Sequence, residues 1–212
     1  MKITKHGHCC LLIEDQGLRI LTDPGNFTAG KHETKNIDVV LITHEHADHL
    51  HVPSLQAVLA DSPNAKIYTI ASVAEILQKE GNTAFEILAH GESVTEKETL
   101  IEAFGDQHAV IHPDIPVSFN VGFFIGNRFW YPGDALTNPG KRPELMALPV
   151  TAPWLKLSEA VDYARTLQPK RLFAVHDGMI VEGFRPFFAA RLKPLLPGIE
   201  VLEPKPDEAM EC

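Results

Sequence analysis

The six residues His44-Glu45-His46-Ala47-Asp48-His49 carry three imidazoles and two carboxylates, directly after the apolar run Val39-Val40-Leu41-Ile42-Thr43. Crowded histidines bury poorly as neutral rings and repel one another when protonated. A divalent cation turns that liability into binding energy, because neutral imidazole and carboxylate suit Zn²⁺ and its neighbours. His44 and His46 stand one residue apart, so in extended backbone they point to the same side and suit one ion. Asp48 and His49 follow where the chain turns toward Leu50–Leu59. There Pro53 and Ser54 mark a helix start, and Leu55, Val58 and Leu59 fall at helical spacing. From that helix entrance Asp48 and His49 can face a second ion. A surface His-rich loop with fortuitous metal affinity is the weaker account of so dense a cluster at a strand-to-helix junction.

A two-metal centre needs ligands from later in the chain. His108 follows a strand-like segment, Glu98–Phe104, and the loop Gly105-Asp106-Gln107. Asp134 follows Phe129-Trp130-Tyr131 and Pro132-Gly133. His176 follows Leu172–Val175 and precedes Asp177-Gly178. Each repeats one pattern, an apolar strand ending in a ligand-type residue beside glycine. Functional side chains gather on loops at one edge of a rigid sheet. Taken singly, each is an ordinary solvated turn; together with the six-residue motif they form a coherent set.

The elements that must position them form two successive halves of mixed α and β. In the first, strands are expected at His8–Glu14 and Leu18–Thr22 around an Asp15-Gln16-Gly17 turn, then at Asp38–Thr43. A helix after Pro53, a strand Lys66–Ile70, a helix Ser72–Glu80 ended by Gly81 and a strand Phe85–Leu88 complete it. The second half offers strands at Ser93-Val94, Glu98–Phe104, Asn120–Ile125 and Asn127–Tyr131, the last two joined by a Gly126-Asn127 hairpin. A long loop then leads to a helix at Leu157 or Ser158 to Leu167, with Ser158 as its cap. A strand Arg171–Val175, a helix Phe184–Leu195, a short strand at Val201 and a frayed tail from Glu203 close the chain. This order fits an α/β fold of two packed sheets covered outside by helices.

The order and spacing of His44, His46, Asp48, His49, His108, Asp134 and His176 resemble the metallo-β-lactamase superfamily, and the resemblance runs from Thr4 to about Glu203. The opening Gly7-His8-Cys9-Cys10-Leu11-Leu12-Ile13-Glu14, with Ile20–Pro24 and Tyr131-Pro132-Gly133-Asp134, is similar to the subgroup of ascorbate-6-phosphate lactonase and related metal-dependent hydrolases. The resemblance implies a four-layer αβ/βα sandwich over one domain, residues 1–212. It implies that His44, His46 and His108 hold one metal, that Asp48, His49 and His176 hold a second, and that Asp134 bridges them. The cofactor would be two divalent ions, zinc first, with Mn, Fe or Ni as substitutes. A water or hydroxide between them would attack an ester-like bond, with Asp48 orienting it and shuttling its proton. Asp23 would hold a ligand imidazole, or serve only as an Asp-Pro-Gly turn. His8 would reach the site from the first strand and hydrogen-bond the substrate or its leaving group, or serve only as a partly buried strand histidine. Trp154 would wall the pocket, and Lys156, Lys141 or Arg142 would meet an anionic group, although a solvated pair is the better reading of the last two. His6, His32, His51 and His90 are expected at the surface, and His112 at the rim. Asp177 either supports the site or merely turns the chain.

Composition bounds the rest. The chain has 212 residues and a net charge of -9, which argues against nucleic acid or an anionic membrane as partner and leaves a small-molecule substrate. No apolar run approaches the roughly 20 residues that span a bilayer, and the first residues lack an apolar signal core, so a cytoplasmic location is expected. Cys9, Cys10 and Cys212 make no disulfide framework; Cys9 and Cys10 are expected to be inert core thiols, with an approach of one of them to the metal pocket as the alternative. A homo-oligomer is left open. A lactone of a small metabolite is the leading substrate. A small-substrate phosphodiesterase and a non-catalytic metal-dependent sensing module are its rivals, and β-lactam hydrolysis is disfavoured by the absence of an export signal.

Overall fold

The computed structural model describes residues 1–205 and 208–212. The first sheet is built from β1 (Lys2–Gly7), β2 (Cys10–Asp15), β3 (Leu18–Thr22), β4 (Val39–Leu41), β5 (Lys66–Thr69) and β6 (Glu86–Ile87), with α1 (Val52–Asp61) and α2 (Ala71–Lys79) as crossovers. The second comprises β7 (Ser93–Glu96), β8 (Thr99–Phe104), β9 (Gly122–Ile125), β10 (Phe129–Tyr131), β11 (Leu145–Pro149), β12 (Arg171–Val175) and β13 (Glu200–Leu202), with α3 (Leu157–Leu167) and α4 (Arg185–Leu195). A last strand, β14 (Ala209–Glu211), returns to the first sheet. The strand orders are β14-β1-β2-β3-β4-β5-β6 and β13-β12-β11-β10-β9-β8-β7.

Alternation along the strands explains the layering. In β10, Phe129 and Tyr131 join the core between the sheets, while Trp130 joins the core beneath the helices. In β11, Leu145 and Ala147 face inward between the sheets, and Met146 and Leu148 face Ala160, Val161 and Ala164 of α3. Strands buried on both faces read as continuous apolar runs, and β9 to β12 do. Helix, sheet, sheet and helix thus make the four-layer α/β sandwich expected for a metallo-β-lactamase-like fold. Each sheet mixes antiparallel hairpins with parallel strands, β3 to β6 in one and β10 to β13 in the other. The carboxyl ends of those parallel strands make one edge, where open α/β sheets bind ligands.

Several boundaries differ from expectation. Lys2–Gly7 is a strand that pairs with β2, and β2 begins at Cys10, so His8 and Cys9 form the turn between them. His8 there adopts the left-handed conformation, φ 44°. The segment from Tyr131 to Ser158 contains β11, a central strand; its unbroken apolar stretch lacks the alternation that reveals a half-exposed strand. The cap of α3 is Lys156, whose backbone N–H donates to the Glu159 carboxylate at 2.7 Å; Ser158 lies inside the helix. The tail is not frayed where described: Glu211 pairs with Lys2 and Met210 with Ile3. Pro206 and Asp207 of that tail lie outside the described residues. Among the described residues, no helix is long and apolar enough to cross a membrane.

Candidate metal centre

The seven ligand-type residues converge on one edge of the sandwich. His44, His46, Asp48 and His49 lie in the loop after β4, His108 in the loop after β8, Asp134 after β10, and His176 after β12. Two groups of four offer ligand atoms within 4.8 Å of one another: His44, His46, His108 and Asp134, and His8, Asp48, His49 and His176. Asp134 stands between the groups. Its Oδ2 lies 3.4 Å from His108 Nε2 and 2.9 Å from His176 Nε2, and its Oδ1 lies 3.1 Å from His49 Nε2. His6, His32, His51, His90 and His112 join neither group.

Outer hydrogen bonds fix how each imidazole faces the pocket. His108 Nδ1–H donates to the Ala109 carbonyl and His176 Nδ1–H to the Thr151 carbonyl, both at 2.6 Å. His49 Nδ1–H donates to Asp23 Oδ2 at 2.7 Å. His44 Nδ1 lies 3.0 Å from Thr43 Oγ1, which itself donates to Asp23 Oδ2. These tautomers, assigned from the network, aim every Nε2 lone pair inward. His46 is the reverse: Nε2 meets Ser118 Oγ at 3.4 Å, and Nδ1 lies 3.1 Å from His44 Nε2.

This donor set fits divalent metal. The Nε2 atoms of His49, His108 and His176 and Oδ1 of Asp134 are buried and have no hydrogen-bond partner. Orphaned buried polar atoms are costly, and a set of imidazole nitrogens gathered around a carboxylate is the donor chemistry that a divalent cation would satisfy. His49 Nε2 and Asp134 Oδ1 approach to 3.1 Å without forming a hydrogen bond, as ligands of a shared ion would.

The electrostatics agree. Burial pushes the His44 ring well below its ordinary pKa, with His49 adding to the effect. Burial likewise lowers His46 and His8. At His49 burial acts the same way, but the Asp134 and Asp23 carboxylates outweigh it and hold the ring well above its usual range. His176 is raised to about 11 against its burial, by Asp134 and Asp48. Burial disfavours both carboxylates too, yet His49 holds Asp134, and His176 with His8 holds Asp48, well below the usual carboxylate range. The carboxylate pair therefore demands positive charge, which protons on His49 and His176 or bound cations can supply.

Asp23 is wholly buried, and Tyr131 also donates to its Oδ2. Its Oδ1 accepts the Thr43 N–H at 2.8 Å. This places Asp23 behind His49, in the imidazole-holding position rather than as a plain turn. His8 sits in the other group but presents a proton. Its Nδ1 accepts the Gly178 N–H at 3.1 Å, so Nε2 carries the hydrogen and donates to Asp48 Oδ2 at 3.0 Å. Asp177 pairs with Lys5 at 2.7 Å and ties the His176 loop to β1.

A cavity of ≈ 270 Å³ opens over the centre, lined by Asp48, His46, His108, Asp134 and His176 together with Trp154 and neighbouring apolar residues. Trp154 Nε1–H donates to Asp134 Oδ2 at 3.2 Å. The basic residues offered by the sequence lie elsewhere: Lys141 pairs with Glu102, Arg142 donates to the Gln168 carbonyl, and Lys156 caps α3. Cys9 approaches His49 and Asp134, whereas Cys10 is wholly buried and burial pushes its thiol up.

Two supports escaped sequence reasoning. Asn120 is wholly buried, and its Oδ1 accepts the Asp134 N–H at 2.9 Å. Gly25 lets two loops touch, since a Cβ there would stand 1.8 Å from the Asp48 carbonyl oxygen. An Asn after a loop and a Gly after Asp-Pro carry no signal that separates them from turn formers; only the contact across the fold does.

Comparison with known proteins shows the family and the fold. The family profile described as beta-lactamase superfamily domain matches residues 2–176. Protein Rv0786c of Mycobacterium tuberculosis is 37% identical over 197 residues, 91% of each chain. The UPF0173 metal-dependent hydrolase TV0864 of Thermoplasma volcanium is 30% identical over 166 residues, 71% of each chain. The crystal structure of the metallo-beta-lactamase fold protein YhfI from Bacillus subtilis is 18% identical, with a TM-score of 0.75 over 99% of this chain and 98% of that one, a likeness of fold alone.

Proposed function

We propose a reaction for this site from one premise: the chain belongs to the metallo-β-lactamase superfamily and, within it, to the UPF0173 metal-dependent hydrolases. The reaction is hydrolysis of an ester-like bond, with a lactone of a small metabolite as the leading substrate. The observation that carries it is Asp134, whose carboxylate reaches ligand atoms of both groups at the floor of a single open cavity. His44, His46 and His108 would hold one ion and Asp48, His49 and His176 the other, with Asp134 within reach of both groups. When bound, divalent ions supply Lewis acidity and a water acidic enough to yield a nucleophile near neutral pH. Five imidazoles and two carboxylates suit zinc first and Mn, Fe or Ni as alternatives.

The chain's own groups then have separable tasks. Every hydrogen bond and ion pair of Asp48 falls on Oδ2, which leaves Oδ1 to take the proton of the attacking water and return it to the leaving alcohol. His8, absent from the cavity lining, acts through Asp48 by holding its Oδ2. Trp154 covers Asp134 and keeps bulk water from that edge. The lining holds no Lys or Arg, so a negative charge on the substrate away from the reacting centre would meet no side-chain counter-charge there. The lactone preference itself rests on the likeness of the opening motif to ascorbate-6-phosphate lactonase. Turnover of a panel of lactones, aryl esters and aryl phosphodiesters by the metal-loaded protein tests it. Faster hydrolysis of lactones or esters is expected; turnover confined to the phosphodiesters would move the bond to phosphorus.

A further inference from the structure

The cavity mouth is apolar in a way the rest of the surface is not. Phe27, Ile111 and Met179 line the cavity and are exposed by 43%, 37% and 47%. They come from three separate loops, after β3, after β8 and after β12. The same loops carry further exposed apolar side chains: Val110, Ile115, Val117 and Phe119 in one, Val181 and Phe184 in another. Outside these loops and the adjoining α4, the only large apolar residue exposed to this degree among the described residues is Ile87. Scattered exposed leucines or valines are normal; apolar side chains concentrated around one cavity mark a binding surface.

The polar residues of the lining point the same way. Apart from the ligand set, the cavity offers one amide, Asn26, and the Trp154 indole, whose N–H is already given to Asp134. No Lys or Arg lines it, and the chain carries a net charge of -9. A phosphate or carboxylate on the substrate, away from the reacting carbon, would find no counter-charge in this wall. Methylene or aromatic groups would find Phe27, Ile111, Met179 and the face of Trp154. The loops are braced from beneath: Phe27 packs edge-on against His8, ring centroids 4.9 Å apart, and a Cβ at Gly178 would stand 2.8 Å from the Phe27 ring.

We infer that the three loops form a subsite for an uncharged apolar tail, so that the substrate class is an ester or lactone bearing an alkyl or acyl chain. This rests on the ester-hydrolase reading above for the bond cleaved, but not for the binding of the tail. The tail lies across Ile111 and Met179 while the carbonyl reaches the floor at Asp134. Phe27, Ile111 and Met179 set chain length, and Trp154 flanks the carbon next to the carbonyl.

The test uses two homologous series on the full-length, metal-loaded protein. One is p-nitrophenyl esters from acetate to octanoate, read as kcat/KM below and then above their micelle concentrations. The other is alkyl hydroxamates of the same lengths, read as affinity by calorimetry without turnover. Full burial of a methylene gives roughly a fourfold gain, so at least about a tenfold rise from the two-carbon to the eight-carbon probe is expected in this half-open cavity. Ile111→Ser and Met179→Ser should each lower the eight-carbon to two-carbon ratio severalfold. Hydroxamate affinity that rises with length while no ester is cleaved would uphold the subsite and discard the ester reading. Esters cleaved with no dependence on length would overturn the subsite and leave the hydrolase standing. A rise seen only above the micelle concentration would assign the mouth to a lipid surface. Serine variants that dissociate a dimer without changing the ratio would assign it to a second copy of the chain. Either of the last two results overturns the proposal.

Discussion

Asp23, beneath the floor of the cavity, is wholly buried and receives His49, Thr43 and Tyr131, whereas Met179, at its mouth, is 47% exposed. The floor is over-determined. Four of the five ligand-type imidazoles are held through Nδ1 by a second partner, Asp23 among those partners is itself held by Thr43 and Tyr131, and the backbone of Asp134 is fixed by Asn120. The mouth consists of loops carrying apolar side chains that face solvent. Metal chemistry tolerates little displacement of its ligands, so it is placed on strand ends with outer hydrogen bonds. Choice of substrate needs only surface of suitable shape and polarity, and loops supply that with little cost to stability.

The sharpest way to break the contrast is Asp134→Ala. It removes the one carboxylate that reaches both groups and leaves the Nε2 atoms of His49, His108 and His176 without it. Hydrolysis and metal content should both fall, by more than the roughly 10–100-fold expected for loss of an outer partner. Hydrolysis retained near the wild-type level would show that Asp134 is not shared.

Asp23→Asn tests the layer beneath. The variant keeps the shape but can accept the His49 Nδ1–H only through one uncharged oxygen that Thr43 and Tyr131 also need. Metal affinity or activity should drop about 10–100-fold, read by competition with a chelator. Unchanged affinity would return Asp23 to the status of a turn residue.

Gly25→Ala is smaller and geometric. The added Cβ would collide with the Asp48 carbonyl, so the loop must shift. Destabilisation of about 1–3 kcal/mol is expected on thermal melting, as for overpacked interiors, together with weaker metal binding. A variant with wild-type melting and metal content would show that the loop gives way without cost.

Met179→Ser should do least to the frame. Stability should stay within about 0.5 kcal/mol of wild type, with metal content unchanged, since the side chain is half exposed and meets no ligand. Loss of metal in this variant would erase the distinction between floor and mouth.

The floor was legible in the sequence because metal ligands are restricted in type and spacing. His44, His46, Asp48 and His49 are neighbours in the chain, and His108, Asp134 and His176 each end an apolar strand. Most of the sheets were legible for a related reason, since turns such as Gly126-Asn127 need positive φ and announce themselves, at 59° and 55° here. What escaped depends on contacts far apart in sequence. Nothing in Leu145–Pro149 marks a central strand until β10 and β12 flank it. Nothing in Ala209–Glu211 marks a strand until β1 is beside it. His8 looks like a strand residue, and its turn conformation and bond to Asp48 follow from β1, which its polar and basic composition disguises. The apolar mouth escaped because Phe27, Ile111 and Met179 are unremarkable singly and become a surface only when three loops meet.

The most direct test of the central claim is elemental analysis of the protein purified without added metal and again after reconstitution with zinc or manganese, beside Asp134→Ala. The account predicts about two ions per wild-type chain, as a two-metal hydrolytic centre requires, and fewer in the variant. One ion or fewer per reconstituted wild-type chain, with no difference in Asp134→Ala, would contradict it.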